Sequence, residues 1–137
     1  MIEIQVFKTE YSDFDLNYFQ SVVSHLIKEE NKEEGDLTLI FCSDEYLLEI
    51  NNKHLNHDYY TDIITFDYSQ KKNISGDLFI SIDRVKENAK EFSVPFLNEL
   101  SRVVVHGVLH LCGYNDKTEE EKKQMRKLEN KYLKNFF

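Results

Sequence analysis

Val103-Val104-Val105-His106-Gly107-Val108-Leu109-His110-Leu111-Cys112-Gly113-Tyr114-Asn115-Asp116 is the stretch from which the fold can be read. Upstream, Leu97, Leu100, Val104, Val108 and Leu111 recur at helical spacing, so one helix is predicted to open near Pro95, which suits a first turn, and to stop at Gly113. From Val103 to Leu111 that helix is apolar apart from Gly107 and two histidines. Such a helix must be buried against other elements. Within it, polar side chains are costly unless they find partners.

The rest of the chain supplies what covers it. Ile2 to Phe7 alternates like a strand, with Ile2, Ile4 and Val6 on one face. A helix is predicted from Asp13 or Asp15 to Glu29, burying Leu16, Phe19, Val23, Leu26 and Ile27. Asp36 to Cys42 reads as a second strand, and Ser43 as the cap of a short helix carrying Leu47, Leu48 and Ile50. Asn51 to Tyr60 reads as irregular. Thr61 to Tyr68 and Gly76 to Ile82 read as an antiparallel pair joined by a polar loop. Asp83 is the predicted cap of a helix reaching Phe92. Thr118-Glu119-Glu120-Glu121 is a capping box, opening a last helix with Met125, Leu128 and Leu133 on one side. The order β-α-β-α-β-β-α-α-α predicts an α+β fold, a single domain over residues 1–137 with a small mixed sheet packed by helices.

The totals exclude several classes. The chain has 137 residues, 41% hydrophobic and 31% charged, the profile of one soluble domain. No apolar run approaches the ~18 residues needed to span a bilayer, and the N-terminus lacks the pattern of a signal peptide. A cytoplasmic protein without membrane association is expected. Cys42 and Cys112, the two cysteines, form no CxxC pair and fit a reducing compartment. The net charge of −8 argues against a broad basic surface gripping nucleic acid by phosphates alone, while leaving room for a local basic groove.

His106 and His110 stand four residues apart, on one helical face, with Cβ atoms about 5–6 Å apart. Two imidazoles there can converge on one cation. Gly113 permits a sharp reversal, which can return Asp116 to the same ion. Two nitrogens, a carboxylate and an open position for water make a catalytic zinc pattern, so one zinc ion is the expected cofactor. The histidines also fit a partly buried pair satisfied by backbone. Asp116 equally fits a turn residue before a helix N-terminus. Gly107 occupies the place where a His-Glu-x-x-His protease carries its glutamate, so that general base is missing.

His106-Gly107-Val108-Leu109-His110-Leu111-Cys112-Gly113-Tyr114 closely resembles the signature of the YbeY family of rRNA maturation factors. Thr61-Asp62-Ile63-Ile64-Thr65-Phe66 and Gly76-Asp77-Leu78-Phe79-Ile80-Ser81 resemble two strands of that family, and Met125 and Glu129 fall where its last helix carries Met and Glu. The resemblance covers Leu47 to Leu133 in order. It implies a metal-dependent, single-strand-specific endoribonuclease acting in rRNA maturation and ribosome quality control, with rRNA as substrate and the ribosome or a ribosomal protein as partner. His106, His110 and Asp116 are then the metal ligands and the catalytic set. Two positions depart from the family pattern. Asp116 stands where a histidine is usual, and its charge should leave a bound water less acidic. Leu55 aligns where the family commonly carries an arginine, with Lys53, His54 and His57 nearby.

The remaining residues carry milder readings. His25 reads as a boundary residue, and Cys112 points away from the histidine face toward the core. Asp62 and Asp77 read as strand-end hydrogen-bonding groups or, under the resemblance, as cleft residues. Lys117, Lys122, Lys123, Arg126 and Lys127 form a basic sector interleaved with glutamates, read as solvated helix pairs with a phosphate contact as the alternative. The competing functions are a non-catalytic metal-binding ribosome assembly factor and a metallohydrolase of another substrate. Gly107 argues against a peptidase. Iron oxygenases share the two-histidine, one-carboxylate set.

Overall fold

A computed structural model describes residues 1–7, 15–55 and 61–134, without the side chains of Leu16 and Leu55. The elements follow the predicted order: β1 (Ile2–Phe7), α1 (Leu16–Glu29), β2 (Glu33–Cys42), α2 (Asp44–Leu55), β3 (Ile63–Asp67), β4 (Asn73–Ser81), α3 (Ile82–Glu91), α4 (Phe96–Leu111) and α5 (Glu119–Lys134). The sheet runs β1-β2-β4-β3 and is mixed. β1 pairs parallel with β2, and β2 with β4; β3 returns antiparallel on β4, with Ile63 opposite Ile80.

Strand alternation divides the sheet into two faces. Leu37, Leu39 and Phe41 of β2 and Ile74, Leu78 and Ile80 of β4 share the main core with α1, α4 and α5. Cys42 and Ile64 turn the other way and pack with Leu47 and Ile50 of α2. On β3 this places Ile63 toward α4, and by alternation Thr65 and Asp67 with it.

Helix ends obey local chemistry. Asp15 accepts from the Tyr18 N–H at 3.2 Å, and Ser43 from the Tyr46 N–H at 3.1 Å, the predicted cap. Thr118 and Glu121 close the predicted capping box, each side chain accepting the other's N–H at 3.1 and 2.9 Å. At the end of α4 the Tyr114 N–H reaches the Leu109 carbonyl and the Gly113 N–H the His110 carbonyl, at 3.1 and 3.0 Å, a Schellman motif with Gly113 at φ 107°.

Four expectations are corrected. Ser81, not Asp83, caps α3, because its hydroxyl accepts from the Arg84 N–H at 3.0 Å while Asp83 accepts from the Asp44 N–H at 2.9 Å. α2 continues through Lys53 and His54 to Leu55, since Ile50 and Asn51 are buried and keep the last turns packed. β2 and β4 start earlier than expected because the polar residues Glu33 and Asn73 pair with each other. Leu97, expected in the buried stripe of α4, is 44% exposed in the first turn. Asp13 and His57 lie outside the described residues, as does the Leu55 side chain. Among the described residues, no helix is long and apolar enough to cross a membrane.

Candidate metal centre

α4 is enclosed on most of its circumference. Leu100, Val103, Val104, Val105, Gly107, Val108, Leu109 and Leu111 are all buried. Arg102, His106 and His110, spaced at four residues, form its partly open strip. Gly107 faces the sheet, where a Cβ would lie 2.7 Å from Ile63 Cδ1 and 3.1 Å from Leu78 Cδ1. A glutamate there would be driven into the core, so a protease-type base is sterically excluded. The same close contact seats α4 on β3 and β4.

The Schellman turn then reverses the chain, and Asp116 comes back over the histidines. His106 Nε2 and His110 Nε2 are 3.0 Å apart, and Asp116 Oδ2 is 3.2 and 3.5 Å from them. Donors about 2.0–2.1 Å from a tetrahedral ion stand about 3.3 Å from one another. The three separations fit that triangle, and these residues form the one potential metal-holding cluster among the described residues.

The hydrogen bonds behind the rings decide what the triangle can hold. His110 Nδ1 lies 2.8 Å from the Tyr114 carbonyl oxygen, which can only accept, so the proton sits on Nδ1. His106 Nδ1 donates to Glu129 Oε2 at 2.7 Å. In their neutral forms both rings therefore turn a bare Nε2 lone pair inward, beside a carboxylate oxygen. Three acceptors with no proton among them repel one another, and a cation relieves the repulsion. The chemistry of the donor set thus fits a zinc ion.

A line of charge supports His106. Glu129 is 3% exposed and accepts from Arg102 Nη1 at 3.4 Å; the other Arg102 terminal nitrogen binds Glu99, itself 2% exposed. Burial opposes charge on Arg102, but Glu99 and Glu129 outweigh it and raise its pKa. Burial likewise pulls the His106 pKa down, yet the Glu129 hydrogen bond, with the charges of Glu129, Asp116 and Asp62, brings it above the ordinary value. Burial raises the Asp62 carboxyl, with His106 opposing.

Two open depressions flank the triad. One, about 290 Å³, is bordered by Asp62, Arg102, Lys122 and Arg126 together with His106 and Asp116. The other, about 440 Å³, is bordered by Thr61, Thr65 and Asp67. Asp62 is thus a cleft residue, whereas Asp77 lies mid-strand opposite Thr38 and Phe66. Of the basic sector, Lys122 and Arg126 face the cleft, although Lys122 also pairs with Glu119 at 3.7 Å. His54 lies on α2 with its ring edge-on to Phe66, and His25 contacts the Tyr132 ring. Glu99, Arg102 and the role of Glu129 went unread in the sequence. Their signal was a glutamate on an otherwise buried stripe, as Glu129 stands between Met125 and Tyr132.

The family described as "Endoribonuclease YbeY" matches residues 3–137. A Flavobacterium psychrophilum protein named Endoribonuclease YbeY is 56% identical over 114 residues, 83% of this chain and 81% of that protein. A Karelsulcia muelleri protein of the same name is 49% identical over 127 residues, 93% of this chain and 90% of that protein. A solution structure of a Thermotoga maritima protein, 26% identical, superposes with a TM-score of 0.65 over 97% of this chain and 91% of that one.

Proposed function

The chain belongs to the YbeY endoribonuclease family, and from that premise we propose that it is a zinc-dependent endoribonuclease cutting single-stranded RNA during rRNA maturation in the cytoplasm. His106, His110 and Asp116 are its metal ligands and its catalytic set. The observation that carries this reading is the triad of inward acceptors 3.0 to 3.5 Å apart, with both ring tautomers held from behind.

A zinc ion bound there supplies Lewis-acid polarisation of a phosphoryl oxygen and a bound water of lowered pKa. The protein does the rest. Glu129 and the Tyr114 carbonyl hold the proton of each neutral ring on Nδ1 and aim both Nε2 atoms inward. Asp116 contributes the anionic donor and partly offsets the charge of the ion. Lys122 and Arg126, beside the triad, are placed to take phosphate oxygens of the strand, giving a local basic lip on an acidic protein. A flexible single strand can bend a phosphate into the recess of about 290 Å³ beside the triad.

The test is metal analysis of freshly purified protein, then cleavage of single-stranded and duplex RNA with and without chelator. Stoichiometric zinc and chelator-sensitive cutting of single strands are expected. Cleavage undiminished in His106→Ala and His110→Ala would belong to a contaminating nuclease and remove the enzymatic assignment.

A further inference from the structure

The centre is also held from a distant part of the chain. Glu30, the C-cap of α1, receives two phenol hydroxyls on one carboxylate: Tyr114 donates to Oε1 at 2.6 Å, and Tyr132 of α5 donates to Oε2. Neither contact is local, since Glu30 and Tyr114 are 84 positions apart. Tyr114 is the first residue past Gly113. Its carbonyl fixes His110 Nδ1, and Asp116 follows two residues later. The far end of the loop is pinned by Glu121, which accepts the N–H groups of Lys117 and Thr118 at 3.2 and 2.9 Å. The loop is thus strapped at both ends, with Asp116 between.

The strap matters because of what stands at position 116. An aspartate reaches less far from its backbone than a histidine does. Its oxygen meets two Nε2 atoms at 3.2 and 3.5 Å only where the loop backbone is held close over α4.

We propose that Glu30 is a positioning residue for the metal centre, acting through the Tyr114 hydroxyl to set the reach of Asp116. The proposal rests on the reading of His106, His110 and Asp116 as ligands. Zinc affinity is to be measured by competition titration on the full chain, for wild type, Glu30→Gln, Tyr114→Phe, the pair combined, Asp116→His, and Asp116→His with Tyr114→Phe. Each single change at the strap should weaken zinc binding about tenfold, the lower range for a residue supporting a ligand. The pair combined should be no weaker than the worse single change, because both remove one interaction. In the Asp116→His background, Tyr114→Phe should cost less than about twofold, because the longer side chain depends less on the loop.

Thermal unfolding of the metal-free proteins provides the control for structure alone. Variants that melt lower but bind zinc as tightly as wild type overturn the proposal. So does a Tyr114→Phe loss that is equal with Asp116 in place and in the Asp116→His background. Wild-type protein that takes up no zinc, or His110→Ala that binds as tightly as wild type, instead overturns the ligand assignment underneath.

Discussion

Glu129→Gln isolates the buried carboxylate behind His106. Glu129 accepts from His106 Nδ1 at 2.7 Å and from Arg102 Nη1 at 3.4 Å, and its side chain is 4% exposed. Glutamine keeps the shape but replaces one acceptor oxygen by an NH2 donor, so one of the two partners must face a donor. If the amide nitrogen faces His106, the ring must change tautomer. Its Nε2 then carries a proton into the triad and no longer offers a lone pair there. If it faces Arg102, the guanidinium keeps Glu99 alone. Either way one charge-assisted hydrogen bond is lost, about 2 kcal/mol. With a urea slope of about 2 kcal/mol per M for a chain of this size, the unfolding midpoint of metal-free protein should fall by about 1 M. Zinc affinity should fall between about tenfold and a hundredfold. Glu129→Ala should be worse, at about 3 kcal/mol or more, because a buried cationic partner loses its counter-charge. Urea titration and zinc competition on the same preparations measure both effects. A Glu129→Gln protein unfolding within about 0.2 M of wild type, with unaltered zinc affinity, would refute the reasoning.

Three further outcomes are expected. Across substitutions of Asp116, Ala and Asn should both weaken zinc binding strongly while His retains it; wild-type affinity in Asp116→Asn would mean that the residue only makes a turn. Gly107→Ala should destabilise by about 1–3 kcal/mol in urea, since its Cβ would lie 2.7 Å from Ile63 Cδ1, and an unchanged midpoint would show that α4 is not packed that closely. The Cys42 thiol is pushed up to about 12 by burial and then by Asp83 and Asp44. A group whose folded pKa is raised adds stability below its unfolded value, near 8.5, that is lost as pH climbs toward 12. Alkylation of Cys42 at pH 8.5 should therefore be slow until the protein is unfolded, and Cys42→Ala should flatten the decline of the urea midpoint above that pH; fast alkylation of the folded protein would contradict the burial of the thiol.

Much of this protein was legible residue by residue, because the features concerned are local. The apolar spacing of α4, the His106 and His110 pair on one face, the reversal at Gly113 and the Thr118–Glu121 capping box all depend on neighbours within one or two turns. The same locality explains the order of elements and the antiparallel return of β3 on β4 across a short loop. Elsewhere, contacts from distant parts of the chain overrode the local reading. Ser81 caps α3 while Asp83 serves the start of α2. Asn51 stays helical because it is buried.

Tertiary structure alone decided the sheet order β1-β2-β4-β3, which requires a crossover that no periodicity encodes. It also brought Asp116, which in the sequence fits either a metal ligand or a turn residue, to 3.2 Å from His106 Nε2. The groups behind the triad were set in the same way. Glu129 lies 23 positions from His106, and Glu30 lies 84 from Tyr114. Backbone propensity and side-chain periodicity act over a few residues, so they place each element and its buried face. Which carboxylate meets which imidazole depends on how those faces stack, a consequence of packing the whole core at once.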